Sequence, residues 1–251
     1  MSADKPRLPA YDIVGDIAIF NELSKGNEGK TKELLKLKNI RVIAKKTKKY
    51  SGRYRLPKIK IIAGEKRKET LHKENNVQVK LDVEKCYFSS RLANERLRIA
   101  KLVKRDEDVL VMFSGVGIYG FVIAKNSKAK EVYCVELNPV ACKYAEENRI
   151  LNKLWNVRLF KGDVKKIVPN LNMKFDRVVM PLPKTGKKFL DLAGKAVKRN
   201  GVIHFYYFLK EDGIDEMKDE IRKKIKCRSI RAVKCGQFSP YVYRVCFDIK
   251  K

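Results

Sequence analysis

The stretch from Val111 to Gly120, VMFSGVGIYG, places glycines at 115, 117 and 120 in a G-x-G-x-x-G pattern. Glycines at that spacing, after an apolar run and ahead of a helical pattern, let a ligand approach bare backbone N–H groups. Glu136 closes the next apolar run, EVYCVE, 19 residues after Gly117. A carboxylate there can accept hydrogen bonds from ribose hydroxyls. Loop and acid together fit a nicotinamide dinucleotide and an adenosyl-bearing donor equally well.

Three further features favour S-adenosylmethionine. Asp163, in LFKGDV, follows the third apolar run, where a carboxylate can accept from an adenine amino group; capping a helix is its competing role. The glycine loop lies mid-chain behind a basic segment, whereas dinucleotide folds often open with it. The chain also ends on two apolar runs, SIRAVK and YVYRVCFDI, that read as an antiparallel pair. In VVMPLPKTGKKFL, Pro181 and Pro183 fix the backbone around Leu182 and can wall a slot for a flat base.

The elements that would position these residues follow from periodicity. DVLVMF, EVYCVEL, NVRLF, DRVVM and GVIHFYYFL read as five buried strands, with helices at Tyr119–Ala124, Pro139–Leu151, Gly186–Val197 and Ile214–Lys226. That alternation gives an α/β fold with a mostly parallel sheet covered by helices on both faces. Residues 1–85 read as a small α+β unit and 86–251 as the cofactor-binding domain. In the first unit Asp12–Phe20 reads as one short strand, and KIKIIAGE and VQVKLDV alternate as half-buried strands. At the junction, Ser89 or Ser90 is placed to cap a helix whose apolar side is Leu92, Leu97, Ile99 and Leu102.

The chain has 251 residues and a net charge of +29, from 58 Lys and Arg against 29 Asp and Glu. Such an excess calls for a polyanionic partner, most simply nucleic acid. Between Arg41 and Lys60 there are nine basic residues and no acidic one, with Tyr50 and Tyr54 interleaved. Lys45, Lys46, Lys48, Lys49 and Arg53 are therefore candidate phosphate contacts, and the tyrosines can take an unstacked base. No apolar run of about 18 residues is present to span a bilayer, and no secretory signal opens the chain. The six cysteines form no C-x-x-C pair, so a zinc site is not expected, and reduced thiols in a cytoplasm are. His72 and His204 are too far apart in sequence to suggest a metal site. A monomer without membrane attachment is expected.

Together these stretches resemble the archaeal and eukaryotic tRNA guanine-37 N1-methyltransferases, from YDIVGDIAI to the C-terminus. SGRYRLP, ETLHKENN, DVEKCYFSSRLANERLRIA, VMFSGVGIYGF and MPLPKTGKKFL carry the resemblance. It implies a class I, Rossmann-like methyltransferase domain with a seven-stranded sheet, S-adenosylmethionine as donor, and the anticodon stem-loop of tRNA as partner. By position, Arg55 and Glu95 match the family's catalytic pair. A carboxylate can remove the proton on guanine N1, and a guanidinium can stabilise the charge growing on O6. Tyr87, Arg96, Phe113, Glu136 and Asp163 match cofactor-lining positions, together with Gly115, Gly117, Leu137, Val164, Pro181 and Pro183. Arg91 joins the RNA-binding set.

Two departures stand out. The family commonly shows Asn-Leu-Pro where this chain has Pro181-Leu182-Pro183, and an acid where it has Val111. The Pro-Leu-Pro form resembles the archaeal branch that also methylates a tricyclic wyosine precursor at carbon 7. The sister enzymes that transfer an aminocarboxypropyl group from the same cofactor are the alternative. The chain is expected to start at the second domain of the family plan, so an anticodon stem-loop should suffice as substrate.

Overall fold

A computed structural model describes residues 8–181 and 185–251, without the side chains of residues 25, 30, 49 and 50. Pro183 and the Lys49 side chain thus lie outside the described residues. The segment expected to be one strand at Asp12–Phe20 is two, β1 (Tyr11–Val14) and β2 (Ile17–Phe20), paired antiparallel. Gly15 and Asp16 turn the chain between them, which a run of alternating apolar residues does not reveal. The short helix α1 (Glu28–Thr31) lies on the crossover to β3 (Val42–Ser51), which runs parallel to β2. Strand β4 (Leu56–Gly64) closes this sheet antiparallel to β3. The basic stretch is therefore a hairpin, with Arg53 and Arg55 in its turn.

A second hairpin, β5 (Glu69–Glu74) with β6 (Val77–Asp82), lies against the large domain. Two buried asparagines of helix α4 (Pro139–Leu151) and the residue just after it bind β6 as another strand would. The Gln78 and Lys80 N–H groups donate to Asn152 and Asn148 Oδ1 at 2.8 and 2.7 Å. The same amides donate back to the Gln78 and Lys80 carbonyls at 2.6 and 3.0 Å. At about 0.5–1.5 kcal/mol for each bond, this fixes the hairpin firmly on α4.

The large sheet has seven strands in the order β12-β13-β11-β10-β7-β8-β9. Strands β7 (Asp108–Met112), β8 (Glu131–Glu136), β9 (Val157–Lys161), β10 (Phe175–Met180) and β11 (Val197–Leu209) are parallel. The closing strands β12 (Ser229–Ser239) and β13 (Val242–Lys250) run antiparallel, with β13 inserted next to β11. Helices α2 (Ala93–Leu102), α3 (Ile118–Asn126) and α4 follow the junction, β7 and β8; α5 (Val164–Asn170), α6 (Leu190–Ala196) and α7 (Ile214–Lys224) follow β9, β10 and β11. One core joins Ile17, Val42 and Val79 of the leading segment to Ile99, Val111 and Phe121 of the large domain; a second fills the other face around Leu110, Phe175 and Phe205. No helix of the described residues is long and apolar enough to cross a membrane.

Helix α2 departs from expectation. It starts at Ala93 after a 3-10 turn, and neither Ser89 nor Ser90 caps it. Leu102 is exposed, whereas Glu95 and Arg96 are buried beside Ile99 and Ala100. Charged residues thus occupy the face that packs inward, which a hydrophobic-period reading assigns to solvent.

Candidate active site

The glycine loop leaves the carboxyl end of β7, where open α/β sheets present ligand sites. Phe113, Gly115 and Gly117 have φ of 60°, 58° and 90°, a left-handed turn that only glycine adopts without cost. A Cβ on Gly120 would sit 2.2 Å from the Cys134 sulfur, so the third glycine serves close packing of α3 on β8. At the end of β8, Glu136 accepts hydrogen bonds from the Gly115 and Asn138 N–H groups, both at 2.7 Å. These hold its carboxylate at the sheet edge and leave each oxygen further lone-pair capacity for a diol. Leu137 follows it, half-buried.

Asp163 does cap α5, accepting from the Lys165 N–H at 2.9 Å. It also faces Arg53 from the basic hairpin, at 2.9 Å. The cap of α5 is thus also where the turn of the basic hairpin meets the large domain, outside the lining of the cleft formed by Tyr87, Arg96 and Gly115. Val164 is buried under it in the core. Pro181 leaves β10 and lines the same cleft as Tyr87, Arg96, Phe113, Gly115 and Tyr206.

Arg55, with φ of 53°, sets its guanidinium 4.9 Å over the ring of Tyr87, a residue that lines that cleft. Arg96 lies deeper. Glu74 of the β5–β6 hairpin takes it in a two-pronged ion pair, and the Ser89 carbonyl accepts from it at 3.1 Å. Glu95 is 5% exposed. It accepts from the Tyr206 hydroxyl at 2.7 Å and from Arg98 through both oxygens, at 2.7 and 2.8 Å. No hydrogen bond joins Arg55 to Glu95 among the described residues; the cleft wall links them through Tyr87 and Tyr206.

Behind Glu95 stands a charge network that sequence reasoning missed. Arg98 also binds Asp248, at 2.7 and 3.2 Å. Asp248 accepts from His204 Nδ1 at 2.6 Å, and His204 Nε2 accepts from Arg177 at 2.7 Å. Arg177 in turn is held by both oxygens of Glu107, at 2.8 and 3.0 Å. Because Arg177 can only donate, His204 carries its single proton on Nδ1. Burial, with both neighbouring arginines, pushes the His204 pKa below its usual value against the pull of Asp248. Burial works against ionisation of Asp248, but hydrogen bonds from His204 and Arg98 outweigh it and hold the carboxyl well below the usual range.

The candidate RNA-binding cations divide. Lys45 pairs with Glu28 at 2.5 Å, Arg91 with Asp12 at 2.5 Å, and Lys46 donates to Asn21 at 2.8 Å. Lys48 is exposed on β3.

A seven-stranded sheet with an antiparallel insertion, a glycine turn after β7 and a carboxylate closing β8 define a Rossmann-like α/β fold. Residues 70–234 match the TRM5/TYW2 methyltransferase domain, and the chain belongs to that family. It is 37% identical to the tRNA (guanine(37)-N(1))-methyltransferase Trm5b of Pyrococcus abyssi, over 96% of this chain and 74% of that protein. Among solved structures, the complex of aTrm5 with tRNALeu superposes with a TM-score of 0.87 at 32% identity, covering 96% of this chain and 71% of that one. The Methanocaldococcus jannaschii TYW2 structure in complex with AdoMet superposes at 0.72 with 29% identity, covering 96% and 98%. The fold is accordingly the Rossmann-like methyltransferase fold expected from the sequence.

Proposed function

We propose that the chain methylates N1 of guanosine 37 in tRNA with S-adenosylmethionine as donor. The observation that carries this is Glu95: a buried carboxylate, fixed by Tyr206 and Arg98, behind the wall of the cleft that also holds the glycine cradle. The residues fit the donor. Gly115 and Gly117 open the backbone, Glu136 offers acceptors to ribose hydroxyls, and Asp163 offers one to the adenine amino group. When bound, the donor supplies a methyl carbon activated by its sulfonium.

The remaining chemistry belongs to the chain. Glu95 takes the N1 proton, freeing the nitrogen lone pair for the methyl carbon. Arg55, over Tyr87, donates to O6 as negative charge grows there. Tyr206 and Arg98 fix the direction of the Glu95 carboxylate. The RNA backbone lies along the basic β3–β4 hairpin, contacted by Lys45, Lys46, Lys48, Arg53 and Arg91. Of these, Lys45, Arg53 and Arg91 must exchange their own carboxylates for phosphate.

Mass spectrometry of nucleosides from tRNA incubated with the chain and donor tests the proposal. 1-Methylguanosine should form, and Glu95→Gln should lower its rate about 10²- to 10⁴-fold, the usual worth of a general base. Donor labelled in its methyl should mark the RNA. Label arriving instead from the donor's carboxyl would identify aminocarboxypropyl transfer and sink this reading.

A further inference from the structure

Three buried side-chain polar atoms have no hydrogen-bond partner among the described residues: the Tyr119 hydroxyl, Glu220 Oε2, which Lys187 meets in an ion pair, and Arg244 Nε. Two of them, on Tyr119 and Arg244, belong to residues lining the cleft beside Glu95. A buried donor left unpaired costs about 1–3 kcal/mol, so such atoms mark where a ligand's acceptors go. Arg244 differs from the arginines buried behind the cleft. Arg96, Arg98 and Arg177 each hold a carboxylate. The Arg244 guanidinium pairs with no carboxylate among the described residues, and the Phe208 ring lies 5.0 Å from its central carbon.

Its place in the sheet says which ligand. In the β11–β13 register, His204 opposes Asp248, Tyr206 opposes Cys246, and Phe208 opposes Arg244. Residues two apart share a face, so these three rungs lie on the side where Tyr206 meets Glu95. Arg244 is one rung further toward the carboxyl end of β11, the end that faces substrate. The glycine cradle starts from β7, three strands from β13 in the sheet order, or roughly 14 Å at about 4.8 Å per strand. Arg244 therefore stands on the Glu95 side of the cleft, away from the ribose end of the donor. Phe208 backs it, and Phe238 packs on Phe208 with ring centroids 4.2 Å apart, tilted by 31°.

We propose that Arg244 is a recognition residue for the target purine. Resting on the function proposed above, it takes N7 and the N7-facing lone pair of O6, while Arg55 takes the lone pair of O6 on the N1 side. A guanidinium fork matches that acceptor edge of guanine. The base is thereby gripped along its N7/O6 edge, next to the N1 that Glu95 deprotonates.

The test uses the whole chain with tRNA transcripts carrying guanosine or 7-deazaguanosine at the target position; the analogue keeps N1–H and O6 but lacks N7. The unmodified chain should favour guanosine about tenfold in kcat/KM. Arg244→Met, which keeps the packing on Phe208, should lose about tenfold on guanosine and discriminate no longer. Arg244→Lys should restore charge but not the preference. Donor affinity by calorimetry should stay within about twofold of the unmodified chain, since the fork contacts the base alone. A preference that survives in Arg244→Met overturns the proposal, and so does a matching loss of donor affinity. Should the unmodified chain methylate neither RNA, the function reading fails; the Arg244 assignment is then decided by competition binding of the two RNAs, where equal affinities overturn it.

Discussion

Replacing Arg98 with methionine removes the one cation shared by Glu95 and Asp248. Arg98 reaches Glu95 at 2.7 and 2.8 Å and Asp248 at 2.7 and 3.2 Å. The Glu95 and Asp248 side chains are 4% and 14% exposed, so water cannot take over. Burial works against the charge on Arg98, yet the two carboxylates outweigh it and raise its pKa above the usual value. Stranding a buried partner costs about 3–5 kcal/mol. In a chain of this size that corresponds to a fall of about 10 °C in the thermal midpoint. A double-mutant cycle isolates the cause. Glu95→Gln in the Arg98→Met background removes one stranded charge and should return about 2 kcal/mol, measured by urea unfolding. If the two changes add, or if Arg98→Met alone costs under about 1 kcal/mol, the pair behaves as an exposed i,i+3 pair and the buried network has no energetic meaning.

His204 sets a pH dependence. Its pKa is lowered from 6.5, so the unfolded chain binds its proton first, and stability should fall as pH drops below about 6.5. The thermal midpoint of His204→Gln should be flatter between pH 7 and 5 than that of the unmodified chain; parallel curves would remove His204 as the cause. Asp248, held low, adds a loss only below pH 3.8, its ordinary value. Gly117→Ala puts a Cβ at φ 90°, 2.2 Å from the Phe121 ring; donor affinity by calorimetry should drop more than about tenfold, in line with strain above about 1.4 kcal/mol. Gly120→Ala meets the Cys134 sulfur at 2.2 Å and should cost about 1–3 kcal/mol of overpacking, much of it recovered by adding Cys134→Ala. Unaltered stability in the single variant would contradict the close approach of α3 to β8.

Much of the scaffold is legible in the sequence because periodicity and glycine chemistry are local. The mostly parallel sheet of the large domain follows from alternating elements, and the Gly115–Gly117 turn and Glu136 from spacing along one βαβ unit. The leading segment is less legible. The Asn148–Asn152 ladder ties β6 to α4 across 68 and 74 residues, so no shift in composition marks where one packed unit gives way to the next. The surroundings of Glu95 are illegible for the same reason. Read along α2, Glu95 and Arg98 are an ordinary solvent-facing pair at i,i+3 spacing, and the apolar stripe points elsewhere. What buries them is Tyr206, 111 residues away, and Asp248, 150 residues from Arg98. Those residues arrive on β11 and β13, whose antiparallel register puts His204 against Asp248. The strand inserted between β11 and β12 thus does more than end the fold. It brings a carboxylate to share Arg98, and two rungs further out it sets the unpaired Arg244 at the cleft. A residue on α2 that would otherwise be a surface acid becomes a carboxylate with a fixed direction only because β13 runs backwards beside β11.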